Sequence, residues 1–170
     1  MNDTAHSAVN WTVWVGIFVA CAALLGYGYY LQYVEYLDPC PLCITQRLFY
    51  YGIALFAVLA LFSGRSNITQ RVFTFFMLLC AIGGIATAGR QVWLQHLPKD
   101  QVPECGPGLS YWLENNPLSE TLTLLFKGDG NCAEVQWTFL GFSIGEWSLA
   151  WFVGFLLLAL FLLVRLARNK

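Results

Sequence analysis

Apolar residues run almost unbroken through four stretches of this chain: Trp11 to Tyr30, about Ile44 to Phe62, Val72 to about Gly89, and Trp147 to Val164. Each comes close to the roughly 20 helical residues that cross a hydrocarbon core of about 30 Å. The pattern therefore predicts four membrane spans (11–30, 44–62, 72–89 and 147–164), with outer loops at about 31–43 and 90–146. In the second loop, Asn116-Pro117 reads as a helix N-cap followed by proline at the first helical position, opening a short helix that ends near Lys127-Gly128. Leu118, Leu122, Leu125 and Phe126 share one face of it, which suits a helix lying in the head-group region; packing against the bundle is the alternative. The expected fold class is an all-α membrane protein. It is a four-transmembrane-helix bundle with a short outer-loop surface helix, one integral membrane domain over 1–170.

Composition supports the membrane reading, because 11% charged residues against 58% hydrophobic ones cannot coat a soluble globule of this size. The first stretch is too long for a signal-peptide core, and Met1 to Asn10 has no Lys or Arg, so it reads as a mature helix. Charge then orients the bundle. Arg65 and Arg71 flank the short loop between the second and third spans, and Arg165, Arg168 and Lys170 follow the fourth; the positive-inside rule makes that side, and both termini, cytoplasmic. Glu35 and Asp38 fall in the first outer loop. The second carries Asp100, Glu104, Glu114, Glu120, Asp129, Glu134 and Glu146 against Arg90, Lys99 and Lys127, so nothing resembles a nucleic-acid surface. Several of Trp11, Trp14, Trp93, Trp112, Trp137, Trp147 and Trp151 stand at span ends, where aromatic belts anchor a bundle.

With this topology Cys40, Cys43, Cys105 and Cys132 face outside, where disulfides persist, and can be read as two pairs. Cys21 and Cys80 lie within spans and read as small core hydrophobes. Cys40-Pro41-Leu42-Cys43 has the spacing of a dithiol that closes and reopens. Pro39 and Pro41 keep Cys40 extended, and Pro41 suits the first helical position, which puts Cys43 in the first turn of the second span. Helix N–H groups there favour a thiolate. Arg47, at i+4 from Cys43, reads either as a snorkelling anchor or as a cation that binds a carbonyl oxygen and stabilises charge developing on it, and the dithiol beside it favours binding. A quinone has such oxygens and dissolves in lipid. Around Cys105, Val102-Pro103-Glu104-Cys105-Gly106-Pro107-Gly108 interrupts regular structure and leaves the sulfur exposed to a partner thiolate; a structural staple is the bland alternative. A zinc site from the four outer cysteines lacks the usual second tight knuckle.

Three features together resemble the DsbB family of bacterial disulfide-forming membrane proteins across nearly the whole chain. They are the run Cys40-Pro41-Leu42-Cys43-Ile44-Thr45-Gln46-Arg47, the four-span layout, and Cys132-Ala133-Glu134-Val135-Gln136-Trp137-Thr138-Phe139-Leu140-Gly141 leading into the last span. The resemblance implies a quinone-dependent protein thiol:disulfide oxidoreductase of the bacterial inner membrane, its redox cysteines periplasmic. It implies that a reduced DsbA-like periplasmic thioredoxin-fold protein attacks a Cys105–Cys132 disulfide and forms a mixed disulfide at Cys105. Cys132 then attacks Cys40 of a Cys40–Cys43 disulfide, and Cys43 passes the electrons to ubiquinone or menaquinone held beside Arg47. Some relatives have Val where Pro41 stands, and the spacing from Cys105 to Cys132 varies among them. One carries His near the outer end of the third span, where Gln91 matches and His96 lies about one turn later; neither is given a catalytic role. The rival readings are an enzyme of the vitamin K epoxide reductase type, whose active dithiol lies later in its bundle, and a non-enzymatic membrane scaffold with structural disulfides.

Overall fold

The fold was analysed in a computed structural model, which describes residues 3–63, 67–98, 100–106, 111 and 117–168. Four long helices, α1 (Asp3–Tyr33), α2 (Pro41–Phe62), α3 (Asn67–Gln95) and α5 (Ile144–Arg168), form the predicted bundle, and each is long and apolar enough to cross a membrane. A short helix, α4 (Leu118–Lys127), a 3-10 turn (Gly130–Cys132) and a two-stranded antiparallel hairpin, β1 (Thr138–Phe139) with β2 (Phe142–Ser143), lie between α3 and α5. The helices outrun the apolar stretches that foretell them. Arg90 and Gln91 belong to α3 and Glu146 to α5, since a helix continues past the apolar core as long as its ends find partners. Asn116 as N-cap, the Arg65, Lys99 and Lys170 charges, Glu114, Trp112, Pro107 and Gly108, and the side chains of Leu118 and Leu122, lie outside the described residues.

In lipid, apolar side chains gain little by leaving their surroundings, so close packing at small residues holds helices together. α3 is the central member and packs along both α2 and α5, while α1 packs along α2. Gly83 of α3 lies under the Phe49 ring of α2 and Gly84 under the Phe152 ring of α5, leaving no room for a Cβ at either position. Phe152 in turn stacks on Tyr50 of α2 with ring centroids 4.2 Å apart. Trp14 departs from the aromatic-belt expectation: it is buried in this core, because it falls on the α1 face that meets the bundle. Trp11 and Trp93, by contrast, are exposed.

The hairpin was not expected from a sequence read as all-helical. Leu140 and Gly141 form its two-residue turn, both with positive φ (54° and 84°), the backbone that tight antiparallel hairpins require. Ser143 then caps α5: its Oγ accepts from Glu146 N (3.3 Å), and Glu146 Oε2 accepts from Ser143 N (2.7 Å), a reciprocal capping box. Ser143 Oγ also donates to Gln95 Oε1 (2.8 Å), tying the start of α5 to the end of α3. At the opposite end, the Arg71 guanidinium donates to Leu166 O and caps the last turn of α5.

The last turn of α4 docks on the bundle. Thr45 Oγ1 of α2 donates to Leu125 O (2.8 Å) and Arg90 Nε of α3 to Lys127 O (3.3 Å), satisfying carbonyls that a helix end leaves open. Phe126 remains exposed. Gly128 turns the chain with φ +74°, against Leu42 and Leu94, and delivers it to Asp129 and the Cys132 turn.

Candidate active site

Local sequence builds the dithiol. Cys40 is extended (φ −65°, ψ 161°) between its two prolines, and Pro41 opens α2 as expected. Cys40 itself is the N-cap: its Sγ accepts the Cys43 N–H (3.3 Å), the place that serine or aspartate usually fills. The two sulfurs are 2.7 Å apart.

Polar partners converge on this pair from α3. Gln91 Nε2 donates to Cys43 Sγ (3.3 Å) and lies 3.7 Å from Cys40 Sγ, while its Oε1 accepts from Gln46 Nε2 (2.7 Å). Both glutamines are buried, so each amide answers the other, and Gln46 fixes which way the Gln91 amide faces. Arg47 is turned onto α1: it donates to Gln32 Oε1 (2.5 Å) and Gly28 O (2.9 Å), with the Tyr29 ring 4.8 Å away. Cys40, Cys43, Arg47, Gln91, Trp137 and Trp147 line one cavity of about 480 Å³, mostly apolar, within the usual range for a small-molecule site. A flat apolar molecule with a carbonyl oxygen fits such walls, with the guanidinium as its polar contact.

Cys132 and Cys105 differ sharply in exposure. Cys132 is fully buried and clusters with Cys40, Leu42 and Leu94, whereas Cys105 is exposed. Hydrogen bonding to Cys132 and then to Cys43, with burial, pushes the Cys40 thiol well above the ordinary range. In a reduced pair Cys40 therefore holds its proton more tightly than an ordinary thiol. Cys105 sits beside the Cys132 turn: Gly130 N donates to Glu104 O (3.2 Å), and a Cβ on Gly130 would run into Pro103 O and stand 3.0 Å from Cys105 Sγ.

The sequence brought forward Cys40, Cys43, Arg47, Cys105 and Cys132, and the fold gathers Cys40, Cys43 and Cys132 at one point, Arg47 beside them, and Cys105 on the adjoining surface. It missed Gln46 and left Gln91 without a role; for Gln46 the available signal was a polar residue inside a predicted span, since such residues face a bundle's interior, whereas Gln91 fell just past the predicted end of the third span. His96 turns its ring to Val92 O (2.8 Å) and takes no part in the site.

The chain matches the family model for "Disulfide bond formation protein DsbB" over residues 10–162. It is 48% identical over 159 residues to disulfide bond formation protein B of Hahella chejuensis, covering 94% of this chain and 96% of that protein. The protein of the same name from Nitrosococcus oceani is 46% identical over 163 residues, covering 95% and 94% respectively. That from Marinobacter nauticus is 44% identical over 149 residues, covering 88% and 89%.

Proposed function

Since the chain belongs to the DsbB family of disulfide bond formation proteins, we propose that it is a quinone-dependent thiol oxidase working as a two-disulfide relay. It is one integral domain of the bacterial inner membrane, with both termini cytoplasmic and the redox cysteines periplasmic. It reoxidises a DsbA-like thioredoxin-fold protein and so sustains disulfide formation in periplasmic proteins. The observation that carries the reading is the meeting of Cys43 and Cys132 at Cys40, on the wall of a cavity that also holds Arg47.

The residues divide the chemistry between them. A partner thiolate reaches exposed Cys105, joins it, and expels Cys132 with the electron pair of the Cys105–Cys132 bond. Cys132 attacks Cys40, and the electron pair of the Cys40–Cys43 bond leaves on Cys43. Cys43 is the better leaving group of the two, because helix N–H groups and the Gln91 amide face it. A bound quinone, ubiquinone or menaquinone, supplies a two-electron acceptor. Arg47 offers its guanidinium to a carbonyl oxygen, and Gln46 keeps Gln91 aimed at the sulfurs.

Purified protein given a reduced DsbA-like partner and a quinone should bleach the quinone absorbance with turnover; a wild type that reduces neither quinone defeats the proposal. Arg47→Ala should raise the apparent quinone KM about tenfold to a hundredfold, as loss of one hydrogen bond from a charged donor implies. An unchanged KM would leave Arg47 a structural tie to α1. Gln91→Leu should lower kcat at saturating quinone by about tenfold, with Gln46→Leu lowering it less because Gln46 acts only through Gln91. Equal kcat values for wild type and Gln91→Leu would reduce the amide pair to packing.

A further inference from the structure

Groups that no step of the relay consumes hold the Cys105 segment on the Cys132 turn. Asp129 is their centre. It is 4% exposed and caps the turn, its Oδ1 accepting from Asn131 N (3.1 Å) and its Oδ2 from Asn131 Nδ2 (3.1 Å). The same Oδ2 accepts from Gly106 N (3.3 Å), next to Cys105, and Cys132 Sγ points to Oδ1 at 3.8 Å. Asn131 Nδ2 reaches Gly106 O (3.4 Å), and Gly130 N donates to Glu104 O (3.2 Å), so both neighbours of Cys105 are pinned. All this holds while Cys132 lies buried against Cys40.

We infer that Asp129 is a positioning residue, a clamp that keeps Cys105 seated on the Cys132 turn while the disulfide between them is open. The inference rests on the relay reading above. Once the partner has left as a disulfide, the Cys105 thiolate must displace Cys132 from Cys40: the Cys105–Cys132 bond forms, the Cys132–Cys40 bond breaks, and its electron pair leaves on Cys40. That return is intramolecular, so it scales with the effective concentration of Cys105 at Cys132. A free loop would lose closure entropy in each cycle, whereas a pinned one has lost it already.

The test uses full-length protein carrying Cys40→Ser and Cys43→Ser, which isolates the outer pair. Its Cys105–Cys132 disulfide is equilibrated against set ratios of reduced and oxidised glutathione, and free thiols are trapped and counted. Adding Asp129→Asn, which keeps the shape but cannot accept from Gly106 N at that nitrogen, should shift the equilibrium constant about tenfold toward the dithiol, about 30 mV for a two-electron couple. Asn131→Ala, which removes the contact to Gly106 O, should shift it the same way by less. A merely structural role would lower thermal stability and leave the equilibrium of the folded protein where it was; that result overturns the clamp. If Asp129→Asn does not fold, Asn131→Ala decides, and an unshifted equilibrium there overturns it equally. A parent protein that forms no Cys105–Cys132 disulfide at any ratio overturns the relay reading itself, and the clamp with it.

Discussion

Cys43→Ser should abolish quinone reduction, with turnover expected to fall by on the order of a thousandfold or more, as removal of the group that forms the reacting bond does elsewhere. The reason is geometric as well as chemical. Cys43 lines the cavity with Arg47 and receives the Gln91 amide, while Cys40 is held protonated by Cys132, Cys43 and burial. Serine keeps the N–H contact to the Cys40 cap and leaves α2 intact, but its oxygen cannot close a disulfide. The variant should also reveal its own dead end. With Cys132 already packed against Cys40, the two should join, and peptide mapping under non-reducing conditions should find a Cys40–Cys132 disulfide with Cys105 as a free thiol. Quinone reduction at the wild-type rate in this variant would move the exit sulfur elsewhere.

Cys105→Ser removes the entrance instead. Cys105 is exposed and Cys132 fully buried, so a folded partner protein has one sulfur of the outer pair within reach. Turnover with the protein partner should fall by on the order of a thousandfold, as on loss of any group that forms the reacting bond. A small dithiol such as dithiothreitol should still drive quinone reduction, because Cys40 and Cys43 line the cavity and need no protein docking. Loss of both activities would mean that Cys105 supports the fold of the site as a whole; retention of both would place the entrance at another sulfur.

The bundle was legible because membrane spans are the strongest signal a sequence carries, and α2 could be started at Pro41 because proline and the helix N-terminus need each other. The α5 cap could have been read too, since Ser143-x-x-Glu146 is a capping box directly before an apolar run. The hairpin could not easily be read: Leu140 at φ 54° is a residue that hairpin rules do not favour there. The convergence on Cys40 lay beyond sequence for a different reason. Gln46 meets Gln91 only because α2 and α3 pack with one particular rotation, and Cys132 reaches Cys40 only because Thr45 and Arg90 hold the end of α4. Arg47 could be read as a binding cation beside the dithiol, but its partners Gln32 and Gly28 sit on a helix whose facing no local pattern reports.

In the proposed relay, the position of Cys40 between Cys43 and Cys132 fixes the order of the exchanges. A sulfur holds one disulfide partner at a time, so Cys40 cannot close on Cys43 until Cys132 has let go. Cys132 lets go only when Cys105 takes it back, and Cys105 is free to do so only once the partner protein has gone. The oxidised product therefore departs before the electrons do. In the proposed relay, turnover would be a double displacement whose ceiling is set by the slower half-reaction, however abundant the substrate of the other.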